Sequence, residues 1–132
     1  DMTIAVFPSA GRSRGFGFAK LAATELLMEA TGRRFAEPLS GQRAVNGALM
    51  RSLTLAEGFG LEVGLTIDTN MLGKRILEVP VDLSHSPTGR GVQDMLHRAR
   101  QFGDLTQASA SRLGWRRTLA SILRSLIRRF KS

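Results

Sequence analysis

The chain has no cysteine, which excludes thiolate nucleophiles and thiolate metal sites; its chemistry must come from carboxylates, two histidines, hydroxyls, amides or arginines. Leu39-Ser40-Gly41-Gln42-Arg43 sets a hydroxyl, an approachable backbone, an amide and a guanidinium in one turn. That combination suits sugar hydroxyls or phosphate, with a Ser40 helix N-cap as the plainer alternative. His85 lies in VDLSHSPTGRG, just after a strand-like segment, among Asp82, Ser84, Thr88 and Arg90. Beyond the carboxyl end of a strand an imidazole can bind a metal while a nearby arginine holds phosphate; an ordinary loop histidine is the competing reading. Glu62 and Asp68 fall in a mostly apolar stretch, where an ionised carboxylate is costly unless it is paired or in use. Their spacing puts them on different faces of a helix, which argues against a paired-carboxylate site and leaves exposed or capped carboxylates as the plain expectation.

Other polar features are weaker. GRSRGFGF (residues 11–18) has neither the GK[ST] ending of a P-loop nor the G-x-G-x-x-G spacing after a strand. It reads as a basic loop entering a helix, with phosphate contact by Arg12 or Arg14 as the functional alternative. His97 sits between apolar helix positions beside Arg98 and Arg100 and reads as a surface or packing residue.

The elements that must position these groups follow from periodicity. At 132 residues and 42% apolar content the chain suits one modest globular domain. Thr3–Phe7, stopped by Pro8, predicts a short strand of a parallel or mixed sheet, and Arg75–Val81 a second one with an edge or end at Pro80. Helical spacing predicts helices at 19–30, at about 45–53 after a polar turn over 39–44, at 58–73, and at 92–108. This order indicates an α/β layered fold. Two strands among several helices leave strand edges and helix faces to cover, so further strands from preceding sequence are expected; a small α/β domain whole as it stands is the alternative.

The net charge of +8 is concentrated at one end. Residues 112–132 carry seven cations and no acid, against 12 cations and 11 acids in residues 1–111, which divides the chain into a nearly neutral body and a basic tail. In the tail, Trp115, Leu119, Ile122, Leu123, Leu126, Ile127 and Phe130 share one helical stripe, opposite Arg116, Arg117, Arg124, Arg128 and Lys131. With Arg129, these residues predict a basic amphipathic helix lying on an anionic bilayer surface. Packing of the same stripe on its own domain or a partner is the alternative, and nucleic-acid binding is less favoured because stacking aromatics are few. No run of about eighteen apolar residues predicts a membrane-spanning helix.

At PLSGQRA, GFGLEVGLTIDT and ILEVPVDLSHSPTGR the sequence resembles, collinearly to about Arg100, the C-terminal half of family 2 glycosyltransferases with the Rossmann-like GT-A fold. The glucosyl-3-phosphoglycerate synthase and polyprenyl-phosphate sugar transferase kinds are among them. The resemblance implies inverting transfer from a nucleotide-diphosphate sugar, with a divalent ion, Mg or Mn, bridging the diphosphate. It implies that Pro38–Gly41 contact donor sugar and acceptor, with Gln42 where synthase-like members often carry Glu, that Glu62 is the acidic residue near the sugar, that His85 joins the metal site and that Arg90 lies near phosphate. No D-x-D motif occurs in the chain, since Asp68-Thr69-Asn70 is misplaced and helical. The expectation is therefore an acceptor-side half, residues 1–111, inactive alone and completed by an N-terminal half carrying D-x-D. The tail, residues 112–132, would hold it peripherally at the cytoplasmic face of a membrane, near an acceptor that is lipid-linked or membrane-proximal. A non-catalytic basic module, binding membrane or nucleic acid through the same helix, is the reading from a different class.

Overall fold

The opening apolar run becomes β1 (Met2–Val6), the central strand of a mixed three-stranded sheet of order β2-β1-β3. The computed structural model describes residues 1–7, 17–82 and 92–130, with the side chains at 17, 59, 92–99 and 128–130 outside that description. β3 (Ile76–Pro80) runs parallel to β1, with Met2 opposite Ile76 and Val6 opposite Pro80. β2 (Arg43–Val45) runs antiparallel on the other edge, with Met2 opposite Val45 and Ile4 opposite Arg43. Alternation along β1 sends Met2 and Ile4 into the core, as the strand period requires. Pro80, which has no N–H to donate, ends an edge strand. The segment after the first helix ties itself to that strand: Arg33 Nη1 donates to the Ile76 carbonyl at 3.0 Å, and Glu78 Oε1 accepts from the Ala36 and Glu37 amides at 2.7 and 3.2 Å.

Two helices supply most of the remaining core. α1 (Gly17–Thr31) buries Ala22, Ala23, Leu26 and Leu27, and α3 (Leu61–Met71) buries Val63, Leu65 and Ile67. A short 3-10 turn at Gly58–Gly60 leads into α3. The expected polar turn over 39–44 and helix from Val45 need correction. Residues 43–45 are β2, because the free edge of β1 takes them up, and α2 (Gly47–Ser52) starts only after Asn46, whose side chain accepts from the Ala48 and Leu49 amides. The sheet thus has one strand more than the periodicity showed, and the chain is a mixed α/β fold.

α4 (Val92–Leu113) is longer than expected and continues through residues 112 and 113. Its last turn is locked to α3. Arg112 donates from Nε to Asp68 Oδ1 at 2.7 Å and from Nη2 to Asp68 Oδ2 at 2.6 Å, and Nη2 also reaches the Thr54 carbonyl at 3.0 Å. The carboxylate that looked costly inside an apolar helix is therefore paired in the planar fork that suits arginine. Gly114 then takes φ +82°, a left-handed conformation that breaks the helix without a side-chain penalty, and α5 (Trp115–Phe130) turns back onto α1 and α4.

The contact face of α5 differs from the one its periodicity implies. Thr118, Ser121 and Ser125 are fully buried and Ile122 and Leu126 half-buried, whereas Trp115, Leu119, Leu123 and Ile127 remain exposed. Small hydroxyl residues let the helix backbones approach closely, and Ser125 satisfies its hydroxyl on the Ile122 carbonyl at 2.6 Å. Glu29 of α1 fixes the rotation. Its Oε1 accepts from Arg117 Nε at 2.9 Å and its Oε2 from Arg124 Nη2 at 2.7 Å.

Asp68→Asn strips the charge from a partly buried fork and leaves the Arg112 guanidinium without its counter-ion. It is expected to lower the unfolding free energy by about 2 kcal/mol in urea titrations. The α5 seam should also respond to acid. The hydrogen bond from Arg117 holds the Glu29 carboxyl below its usual 4.5; desolvation opposes it, and the charges of Arg117 and Arg124 and the hydrogen bond from Arg124 add to the lowering. A carboxyl lowered in the folded state stabilises that state above the unfolded-state value and loses the contribution as pH falls through the lowered one. Amide-exchange protection of Thr118, Ser121 and Ser125 should therefore drop below pH 4.5 while β1 stays protected; unchanged protection down to global unfolding would refute the clamp.

Candidate functional site

Because β1 and β3 are parallel, their carboxyl ends share one edge of the sheet, the edge where α/β folds gather ligand-binding groups. β2 enters from that edge. The Gln42 carbonyl accepts from the Ala5 amide at 2.9 Å, and the Val81 amide donates to the Val6 carbonyl at 2.9 Å as the chain leaves β3. The turn Pro38–Gln42 therefore stands beside the carboxyl ends of both strands.

Arg43 holds this turn in shape. It donates from Nε to the Ser40 carbonyl at 2.7 Å, from Nη2 to the Pro38 carbonyl at 3.0 Å and from Nη1 to Thr66 Oγ1 at 2.7 Å. The Thr66 hydroxyl in turn donates to the Glu62 carbonyl at 2.9 Å, so turn and helix α3 form one hydrogen-bonded unit. Burial pushes the Arg43 guanidinium down to about 10, opposed by the charges of Glu62 and Glu78, and it stays cationic at neutral pH.

The turn delivers its backbone to a carboxylate. Gly41 is exposed, and a Cβ at this position would stand 3.6 Å from Glu62 Oε1, so the peptide lies directly against the acid. Glu62 belongs to the first turn of α3, where a negative charge is favoured by the helix dipole, and its carboxylate has no hydrogen-bond or ion-pair partner among the described residues. Gln42 is exposed next to Gly41, Leu39 half-buried against the core, and Ser40 buried with its hydroxyl making no hydrogen bond among the described residues. A carboxylate, open backbone, an amide and a cation behind them can bind hydroxyl-rich or phosphorylated ligands and take a proton from a bound hydroxyl.

The structure thus brings Leu39, Ser40, Gly41, Gln42, Arg43 and Glu62 together. His85 and Arg90, with Arg12, Arg14 and Lys131, lie outside the described residues. Among the described residues no group of three or more His, Asp or Glu side chains is placed to hold a metal ion. Asp68 takes no part in this arrangement: with Arg112 it walls a shallow cleft of about 410 Å³ beside Leu53, Met71 and Leu72, and its carboxylate is already held by that arginine. In the tail, Arg117 and Arg124 are engaged by Glu29, Arg116 and Trp115 are exposed, and Arg128 and Arg129 belong to α5 with their side chains outside the description. No helix among the described residues is long and apolar enough to cross a membrane.

Sequence reasoning placed Arg43 in the site but missed its bracing role, because its partners are two backbone carbonyls of the turn and a threonine hydroxyl on α3. Glu29 was missed altogether, because its arginine partners lie 88 and 95 residues further along the chain. The chain matches no protein-family model, no curated protein and no solved structure.

Arg43→Lys keeps the charge but cannot reach three acceptors at fixed angles. It should lower stability by about 1–3 kcal/mol and speed hydrogen exchange at the Ser40 amide, which donates to the Glu37 carbonyl, while leaving exchange in α5 unchanged.

Proposed function

We propose that the chain forms the acceptor-side half of an inverting glycosyltransferase site of the GT-A, family 2 kind, working on a nucleotide-diphosphate sugar. The observation that carries this reading is the exposed Gly41 backbone set against the Glu62 carboxylate, which makes no hydrogen bond or ion pair among the described residues, at the carboxyl edge of the parallel strand pair. In this reading Gly41 and Gln42 hold sugar hydroxyls, Leu39 and Ser40 shape the turn, and Arg43 adds positive potential behind it. Glu62 takes the proton of the acceptor hydroxyl as that oxygen bonds to the anomeric carbon. The bond from that carbon to the diphosphate breaks, and its electron pair leaves with the nucleoside diphosphate. Preorganisation supports the assignment: the braced turn presents its donors and acceptors without reordering on binding.

A divalent ion, Mg or Mn, with His85 as a ligand and Arg90 near phosphate belongs to the same proposal through the resemblance. The described residues supply no ligand group for it, and none of the steps above passes through it. In the same proposal diphosphate binding would fall to an N-terminal half carrying D-x-D, a motif this chain does not contain, and a lipid-linked acceptor would place the protein peripherally on the cytoplasmic face of a membrane. A second reading, a non-catalytic basic module that uses α5 to bind membrane or nucleic acid, draws on the exposed ridge of that helix. Gel shifts across a salt series separate them, since phosphate-driven binding to nucleic acid weakens steeply with salt.

Amide chemical-shift mapping with uridine-diphosphate sugars and Mg²⁺ tests the site. The expected result is millimolar binding that moves Gly41, Gln42 and Glu62, is weakened about tenfold by Glu62→Gln, and is accompanied by no turnover. Saturating ligand that leaves those amides unmoved would overturn the site, and sugar transfer by this chain alone would overturn the half-site assignment.

A further inference from the structure

α5 is held by a seam that is polar in composition. Its buried residues are Thr118, Ser121 and Ser125, and its anchors are the two arginine bonds to Glu29. The large apolar side chains of the helix are spent elsewhere: Trp115, Leu119, Leu123 and Ile127 are 60%, 55%, 58% and 47% exposed. Four residues apart, they form one ridge that drifts by about 40° per step along the outer side of the helix. The ridge lies on a helix packed lengthwise against α1, so it presents a line parallel to the protein surface and not a protruding tip.

Charge decides what covers this ridge. From residue 105 to the end the chain has no acid and seven cations. Arg112 is neutralised by Asp68, and Arg117 and Arg124 share Glu29; Arg116, next to the ridge, is exposed with no acidic partner among the described residues. Two copies docked ridge to ridge would place like charges together, whereas an anionic surface complements them. We infer that α5 lies in the plane of an anionic bilayer surface, with Trp115, Leu119, Leu123 and Ile127 inserted among the lipids and Arg116 at the headgroups. Arg117 and Arg124 are not lipid contacts in this arrangement; they set the rotation that turns the ridge outward. A tryptophan at one end of such a ridge sits well at headgroup depth, where its ring is half apolar and its N–H finds a partner. The inference rests on the peripheral placement proposed above and names its lipid class and contact residues; it does not depend on sugar transfer.

Sedimentation with phosphatidylcholine vesicles, with and without phosphatidylglycerol, reads this directly, with Trp115 emission as the local signal. The expected result is binding only to the phosphatidylglycerol vesicles, weakened by salt, with a blue shift of Trp115. The double variant Leu119→Ser/Leu123→Ser, altered only at exposed positions and checked by circular dichroism, should bind about tenfold more weakly or worse. Equal binding to both vesicles would overturn the anionic assignment and leave peripheral placement standing. Undiminished binding by the variant would overturn the ridge. Absence of vesicle binding together with a dimer abolished by the variant would show that a second copy covers it.

Discussion

The fork between Arg112 and Asp68 is the interaction on which the other parts of the molecule depend. It joins the end of α4 to the middle of α3, and its third bond, to the Thr54 carbonyl, adds the segment between α2 and α3. α3 carries Glu62 at its start, and α4 leads through Gly114 into α5. One guanidinium therefore sets both where the carboxylate stands and where the basic helix begins. Such a bond has value here because both side chains are mostly withdrawn from water, where a bidentate charge-assisted pair is far stronger than its surface equivalent.

Arg43 does for the candidate site what Arg112 does for the frame. Burying a guanidinium is unfavourable, which is why its affinity for the proton falls, and three hydrogen bonds in different directions offset that cost. The result is a turn whose shape is fixed by a side chain lying behind it, leaving the outer surface of Gly41 and Gln42 free. Glu62 makes no hydrogen bond or close ion pair among the described residues, while its charge and that of the buried Arg43 attract one another. Rigid support beneath and unused polar groups on top is the arrangement that binding polar ligands requires.

α5 shows the same division between support and free surface. Buried hydroxyl groups, two half-buried apolar residues and an ion-pair clamp make up its inner side, and Trp115, Leu119, Leu123 and Ile127 stay outside. The helix is amphipathic in sequence, yet its rotation on the body is governed by Glu29 and by the small residues that permit close approach. Hydrophobic periodicity reports which side of a helix would rather leave water; it does not report which side the rest of the protein takes.

Much of this was legible in the sequence. The strands Met2–Val6 and Ile76–Pro80, the helices α1, α3 and α5, and a polar turn before β2 follow from local pattern, because side-chain period and turn chemistry act over a few residues. β2 was not legible: three residues carry no period, and they become a strand only because β1 offers an open edge. Nor was the fate of the charges. Sequence spacing could state that Asp68 needed a partner and that the tail was rich in arginine, but the partners lie 44 residues apart for Arg112 and 88 and 95 apart for Arg117 and Arg124. The residue types by themselves determined an α/β chain with a polar turn, an acid on a helix and a basic amphipathic end. Only the tertiary structure decided that the turn meets the acid, which arginines are used up, and which side of the last helix faces outward, since these depend on chain segments that meet only when the sheet and helices pack.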